Sequence, residues 1–138
     1  MAKPISNSGP PQSAETDPSS ATATKTPSPF QPVQHEISVR ELKQKLDQGE
    51  PILLIDVREP LEHQIVHLDE ALLIPLNNLP QQADQLDPNR EIVIYCHHGM
   101  RSMQATYYLY QLGFQNVKSL SGGIDHWAIE INPTLNRY

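Results

Sequence analysis

Cysteine is almost absent from this sequence: 138 residues contain one, Cys96. That excludes an intramolecular disulfide framework and any zinc site built from several cysteines. Long apolar stretches are missing as well. No unbroken apolar run exceeds five residues, against the roughly 20 needed to cross a bilayer. The N-terminus carries no arginine and no apolar core of the signal-peptide kind, so neither secretory nor organellar targeting is expected. Basic residues are few, 10 Lys and Arg against 16 Asp and Glu, for a net charge of -6. No Lys/Arg stripe exists to follow a phosphate backbone or an anionic surface, so neither nucleic acid nor membrane is an expected partner. A cytoplasmic monomer is the expectation that these absences leave.

What is present is unevenly spread. Residues 1–34 hold 8 apolar residues and residues 35–138 hold 44, while 7 of the 13 prolines fall in the first stretch. Pro, Ser, Thr and Ala account for 21 of those first 34 positions. So little apolar surface cannot offset the entropy of ordering a chain, and residues 1–34 read as a disordered tail. Residues 35–138 are long enough to build one core and read as a single domain.

Within that domain strand and helix signals alternate. Ser38 followed by Glu41 is a capping-box pattern, with Val39, Leu42 and Leu46 on one face and Gly49 as the stop. Ile52–Val57 is a short apolar run between Pro51 and Pro60 and reads as a strand buried on both faces. Leu72–Ile74 is a shorter strand, and Leu79–Leu86 a short helix. Ile92–Tyr95 is a second apolar strand that runs straight into Cys96, His97, His98, Gly99, Met100, Arg101 and Ser102. A helix starting near Arg101 puts Ala105, Tyr108, Leu109 and Leu112 on one face, Val117–Leu120 is a further strand, and Gly122-Gly123 turns into a last helix with Ile124, Trp127 and Ile131. The alternation predicts an α/β fold with a central parallel sheet covered by helices on both faces. Ligands of such sheets sit beyond the carboxyl ends of the strands, which is where Cys96 stands.

A strand, a cysteine, a tight loop and a helix make a particular electrostatic setting. Amides of the loop and of the first helical turn lack intrahelical partners and can converge on one point. The helix macrodipole adds about half a positive charge there, and Arg101 can add a whole one. Both favour thiolate over thiol and would also hold an anion presented to the sulfur. His97, His98, Gly99 and Arg101 are poor core fillers, which argues against Cys96 being merely a small buried hydrophobe.

Five ordered blocks then resemble one family: Asp56-Val57-Arg58-Glu59-Pro60, Glu62 with His67-Leu68, Ile74-Pro75, Tyr95-Cys96 with Gly99, Arg101 and Ser102, and Leu120 with Gly122-Gly123-Ile124 and Trp127. Together, over residues 36–131, they resemble a rhodanese-like sulfurtransferase domain. The resemblance implies that Cys96 is the catalytic nucleophile and carries sulfur as a persulfide. A small donor such as thiosulfate would load it, and cyanide, a thiol or a protein cysteine would unload it. No cofactor and no metal are implied.

His97, His98, Gly99, Met100, Arg101 and Ser102 are the expected substrate-binding residues, through their amides, the Arg101 charge and side chains at the mouth; a histidine there can also shuttle a proton. Asp56 and Arg58 are read as supporting residues, with substrate contact by Arg58 as the alternative. His97 and His98 beside Cys96 raise the thought of a metal, but adjacent residues rarely aim at one ion. His63, His67 and His126 read as surface or structural, and Trp127 as core. Two positions depart from the family, which often has glycine where Val66 and Glu70 stand; the segment resembles domains attached to sulfur-carrier-activating enzymes. The rival readings are a non-catalytic interaction module of the same fold and a small cysteine-dependent phosphatase or arsenate reductase. Cys96 to Arg101 spans C-x4-R, whereas those phosphatase and reductase relatives use a longer C-x5-R ring.

Overall fold

The computed structural model describes residues 29–138. Five strands form one all-parallel sheet: β1 (Glu36–Ile37), β2 (Leu53–Asp56), β3 (Leu72–Leu73), β4 (Ile92–Tyr95) and β5 (Val117–Leu120). Their spatial order is β1-β5-β4-β2-β3, so β4 lies at the centre, paired on one side with β2 and on the other with β5. The helices are α1 (Val39–Asp47), α2 (Pro60–Ile65), α3 (Leu79–Gln82), α4 (Met100–Gln111) and α5 (Gly123–Glu130).

Alternation along β4 builds a core on each face of the sheet. Ile92 and Ile94 pack with Leu79, Ala105, Leu109 and Phe114 beneath α3 and α4. Val93 and Tyr95 point the other way and pack with Leu42, Leu120, Ile124 and Trp127 beneath α1 and α5. All four β4 side chains are fully buried, as a strand covered on both faces requires. Ser38 caps α1 by accepting the Glu41 amide at 3.0 Å, and Gly49 beyond it has a φ of 76°.

Three details differ from the sequence expectations. β1 is only two residues long and leaves no periodic pattern. The Leu79–Leu86 segment is helical at its start and tightens into a 3-10 turn over Ala83–Gln85. Leu112 is half exposed rather than part of the buried face of α4. The chain leaves the helical path there, the Phe114 amide returns to the Leu109 carbonyl at 3.0 Å, and the Phe114 ring fills the core in its place.

Of the stretch read as a tail, residues 1–28 lie outside the described residues. Residues 32–35 form a 3-10 turn, and the Phe30 ring sits 5.0 Å from Tyr107 and 4.9 Å from His35, against α4. Among the described residues no helix is long and apolar enough to cross a membrane.

Glu70, at one of the two positions that depart from the family, has a φ of 63°, the single non-glycine residue with positive φ among those described. A side chain in this left-handed region costs about 1–2 kcal/mol, partly offset because glycine is more flexible in the unfolded chain. Glu70→Gly is therefore expected to stabilise the domain by about 0.5–1 kcal/mol, raising Tm by a few degrees in a calorimetric scan. A lower Tm would show that the glutamate side chain holds a compensating contact.

Candidate active site

β4 ends at Tyr95, and the next residues turn sharply before α4 begins. Carbonyl groups of the turn are taken up from outside: the Val57 amide donates to Tyr95 O at 3.1 Å, Ile124 to Cys96 O at 2.9 Å and Asp125 to His97 O at 3.2 Å. With its carbonyls turned outward, the loop directs amides inward. The Gly99 amide donates to Cys96 Sγ at 3.0 Å and the Ser102 amide at 3.3 Å. Gly99, at φ 114°, is the N-cap of α4 and takes backbone angles that other residues avoid. The sulfur thus sits against the N-terminal end of a 12-residue helix, where the macrodipole favours negative charge.

A buried hydroxyl chain supports it. The Cys96 thiol lies 3.5 Å from Ser102 Oγ, which donates to Gly99 O at 3.2 Å and lies 2.7 Å from Ser119 Oγ on β5. Ser119 escapes a sequence reading. Its one signal is a polar residue in a strand whose inward positions are otherwise apolar.

The Arg101 guanidinium is engaged by α2. Its Nη1 and Nη2 donate to the two Glu62 carboxylate oxygens at 2.8 and 3.0 Å, a bidentate pair that joins α4 to α2. Glu62 also accepts from the Tyr138 hydroxyl at 2.8 Å, and that hydroxyl in turn accepts from Arg58 Nη1 at 2.7 Å. The Tyr138 ring stacks on His97 at 4.0 Å and so lies against the loop that follows β4. His97 stacks on its other neighbour, His98, at 4.0 Å. Burial, and next the adjacent His98, push the His97 imidazole below its ordinary value and keep it neutral near pH 7. Met100 is exposed and lines a shallow apolar groove with Phe30, Met103 and Tyr107.

Asp56 and Arg58 form a fully buried pair: Arg58 Nη2 donates to Asp56 Oδ2 at 2.7 Å and Nε to Oδ1 at 2.9 Å. Arg58 also donates to the Val66 carbonyl at 2.6 Å, and His63 Nδ1 lies 2.8 Å from Asp56 Oδ2. Burial works against the Asp56 charge, but the bonds from Arg58 and His63 outweigh it and hold the carboxyl below its ordinary range. The Tyr95 hydroxyl closes the network at 3.2 Å from Asp56 and accepts the Leu68 amide at 3.1 Å. The structure therefore brings Cys96, Gly99 and Ser102 together, and sets Arg101, Arg58 and Asp56 in a neighbouring polar network. Glu62 and Tyr138 link that network to the loop.

Glu62 carries an acid-stability consequence. Hydrogen bonds from Arg101, against a smaller opposing effect of burial, lower its carboxyl to about 2 from an ordinary 4.5. A depressed carboxyl stabilises the fold above its unfolded value and loses that contribution as pH falls, here between about 4.5 and 2. Allowing for partial exposure, the loss is about 1–2 kcal/mol. Urea unfolding at pH 7 and pH 3 is expected to show a smaller acid loss for Glu62→Gln than for the wild type. Equal losses would mean that the pair with Arg101 contributes nothing to the fold.

The fold agrees with comparisons to known proteins. Residues 38–130 match the family described as Rhodanese-like domain. A Mycobacterium tuberculosis protein named as a probable adenylyltransferase/sulfurtransferase, MoeZ, is 41% identical over 104 residues, covering 74% of this chain and 26% of that protein. The chain thus spans about a quarter of that relative's length. A sulfurtransferase of Allochromatium vinosum is 39% identical over 94 residues, covering 68% of this chain and 88% of the relative. Among solved structures, a rhodanese-related protein of Thermoplasma volcanium superposes with a TM-score of 0.65 at 29% identity, covering 72% of this chain and 95% of the other.

Proposed function

The chain belongs to the rhodanese-like domain family of sulfurtransferases, and from that membership we propose that it moves sulfane sulfur through a Cys96 persulfide, with thiosulfate as a donor. The Cys96 thiolate attacks the outer sulfur of thiosulfate. The S–S bond of the donor breaks, and sulfite leaves with the electron pair. A nucleophilic acceptor (cyanide, a small thiol or a protein cysteine) then attacks the terminal sulfur of the persulfide. The persulfide S–S bond breaks, the acceptor keeps the sulfur, and Cys96 returns to the thiolate. Two displacements of this kind require a covalent carrier and no cofactor.

The observation that carries the reading is the convergence of the Gly99 and Ser102 amides on Cys96 Sγ at 3.0 and 3.3 Å. Fixed donors at that point stabilise negative charge on Sγ, both in the thiolate that attacks the donor and in the thiolate that leaves when the acceptor takes the outer sulfur. His97 and His98 stand at the mouth as neighbours of an incoming acceptor, while Arg101, paired with Glu62, and the buried Arg58, paired with Asp56, hold the neighbouring segments in place. The C-x4-R spacing from Cys96 to Arg101 favours sulfur transfer over phosphate chemistry, whose relatives of this fold use the longer C-x5-R ring. The resemblance to domains attached to sulfur-carrier activation supports a protein acceptor, and the sequence features support a cytoplasmic setting.

A donor-only experiment tests the double displacement. Mixing the protein with excess thiosulfate and no acceptor is expected to release a burst of one sulfite per Cys96, with further sulfite only when cyanide is added. Sulfite release that begins only after an acceptor is present would replace the persulfide route by direct transfer.

A further inference from the structure

Three side chains at the rim of the loop form a ligand set that the two displacements at Cys96 do not require. His97, His98 and Asp125 each offer one donor atom, and all three atoms lie within 4.8 Å of one another. Adjacency in sequence argues against His97 and His98 sharing an ion, yet their rings stack at 4.0 Å with an angle of 26° and so stand side by side. The third member comes from another element: Asp125 lies in the first turn of α5, held against the loop by its own amide bond to the His97 carbonyl.

The spacing suits a shared ion. His98 Nε2 and Asp125 Oδ2 are 3.5 Å apart, at the outer limit for a hydrogen bond. Two ligands bonded at about 2.0–2.1 Å to one tetrahedral ion lie roughly 3.3 Å apart. His97 Nε2 is in addition the one buried side-chain nitrogen or oxygen without a hydrogen-bond partner among the described residues. Arg137 competes for the same carboxylate, donating to Asp125 Oδ1 at 2.7 Å and Oδ2 at 3.2 Å.

We infer that His97, His98 and Asp125 bind a divalent transition-metal ion of the zinc class at the mouth of the Cys96 loop. Two imidazoles and a carboxylate suit zinc better than magnesium or calcium, which take all-oxygen sets. Three protein ligands leave a fourth position open to water. The ion ties the loop after β4 to the start of α5, and so links the two segments that shape the sulfur cradle. The assignment stands on these three side chains and is independent of which sulfur donor the protein uses.

The test titrates untagged, metal-free full chain with zinc chloride in competition with a chromophoric chelator, and follows Tm in parallel. One Zn2+ per chain and a rise in Tm are expected for the wild type. His98→Ala and Asp125→Asn should each weaken binding at least about 10-fold, and Arg137→Ala should tighten it by freeing the carboxylate. Cys96→Ser should bind as the wild type does. No saturable binding by the wild type overturns the assignment, and so does binding that survives His98→Ala. Loss of binding in Cys96→Ser would overturn it as well, by moving the ion onto the sulfur.

Discussion

Cys96→Ser is expected to abolish sulfur transfer while leaving the fold in place. A hydroxyl is far less acidic than a thiol and forms no persulfide, so neither displacement has a carrier. The fold should survive because a serine oxygen accepts the same two amides, from Gly99 and Ser102, that hold the sulfur. Cyanide-dependent thiocyanate formation should fall to the background without enzyme, with Tm within a few degrees of the wild type. Transfer that persists in this variant would remove the cysteine from its role. A collapse of Tm together with activity would leave the loop, rather than the thiol, responsible.

The second large effect is expected away from the sulfur, at Gly123→Ala. Gly123 has a φ of 66°, and a Cβ there would stand 2.6 Å from the Cys96 carbonyl oxygen and closer still to that of His97. These are backbone atoms that cannot step aside, and they are the carbonyls that α5 holds outward through the Ile124 and Asp125 amides. Left-handed strain and the overlap together predict a loss of about 2–4 kcal/mol in urea unfolding. Activity should fall further than the folded fraction does, because relieving the overlap rotates the peptide groups that aim amides at Cys96. A variant of wild-type stability and rate would show that α5 does not set the loop.

Much of this arrangement is legible in the sequence. Ile92–Tyr95 followed by Cys96 and a glycine-containing loop points to the candidate site, since an all-apolar strand is expected to be central and ligands of parallel sheets sit beyond the carboxyl ends of the strands. Ser38 and Gly49 mark the ends of α1 for local reasons that act within a few residues. Pairings across the chain leave no local trace. Arg101 and Glu62 are 39 positions apart, and Arg58 and Tyr138 80 apart. Nothing in the spacing of Arg101 says that its guanidinium turns to α2 rather than to the sulfur. Leu112 shows the same limit: its helical spacing is right, but the turn at Gly113 and the Phe114 side chain claim its place. At Glu70 the expected glycine is missing while the backbone keeps the glycine-like angle, so the turn is preserved at a cost in strain.

Intact-mass measurement tests the central claim most directly. After exposure to thiosulfate and removal of excess reagent, the protein is expected to gain the mass of one sulfur atom, localised by fragmentation to Cys96. Cyanide should remove that mass, and Cys96→Ser should never acquire it. An unchanged mass after thiosulfate, in protein that forms thiocyanate from thiosulfate and cyanide, would contradict a persulfide carried on Cys96.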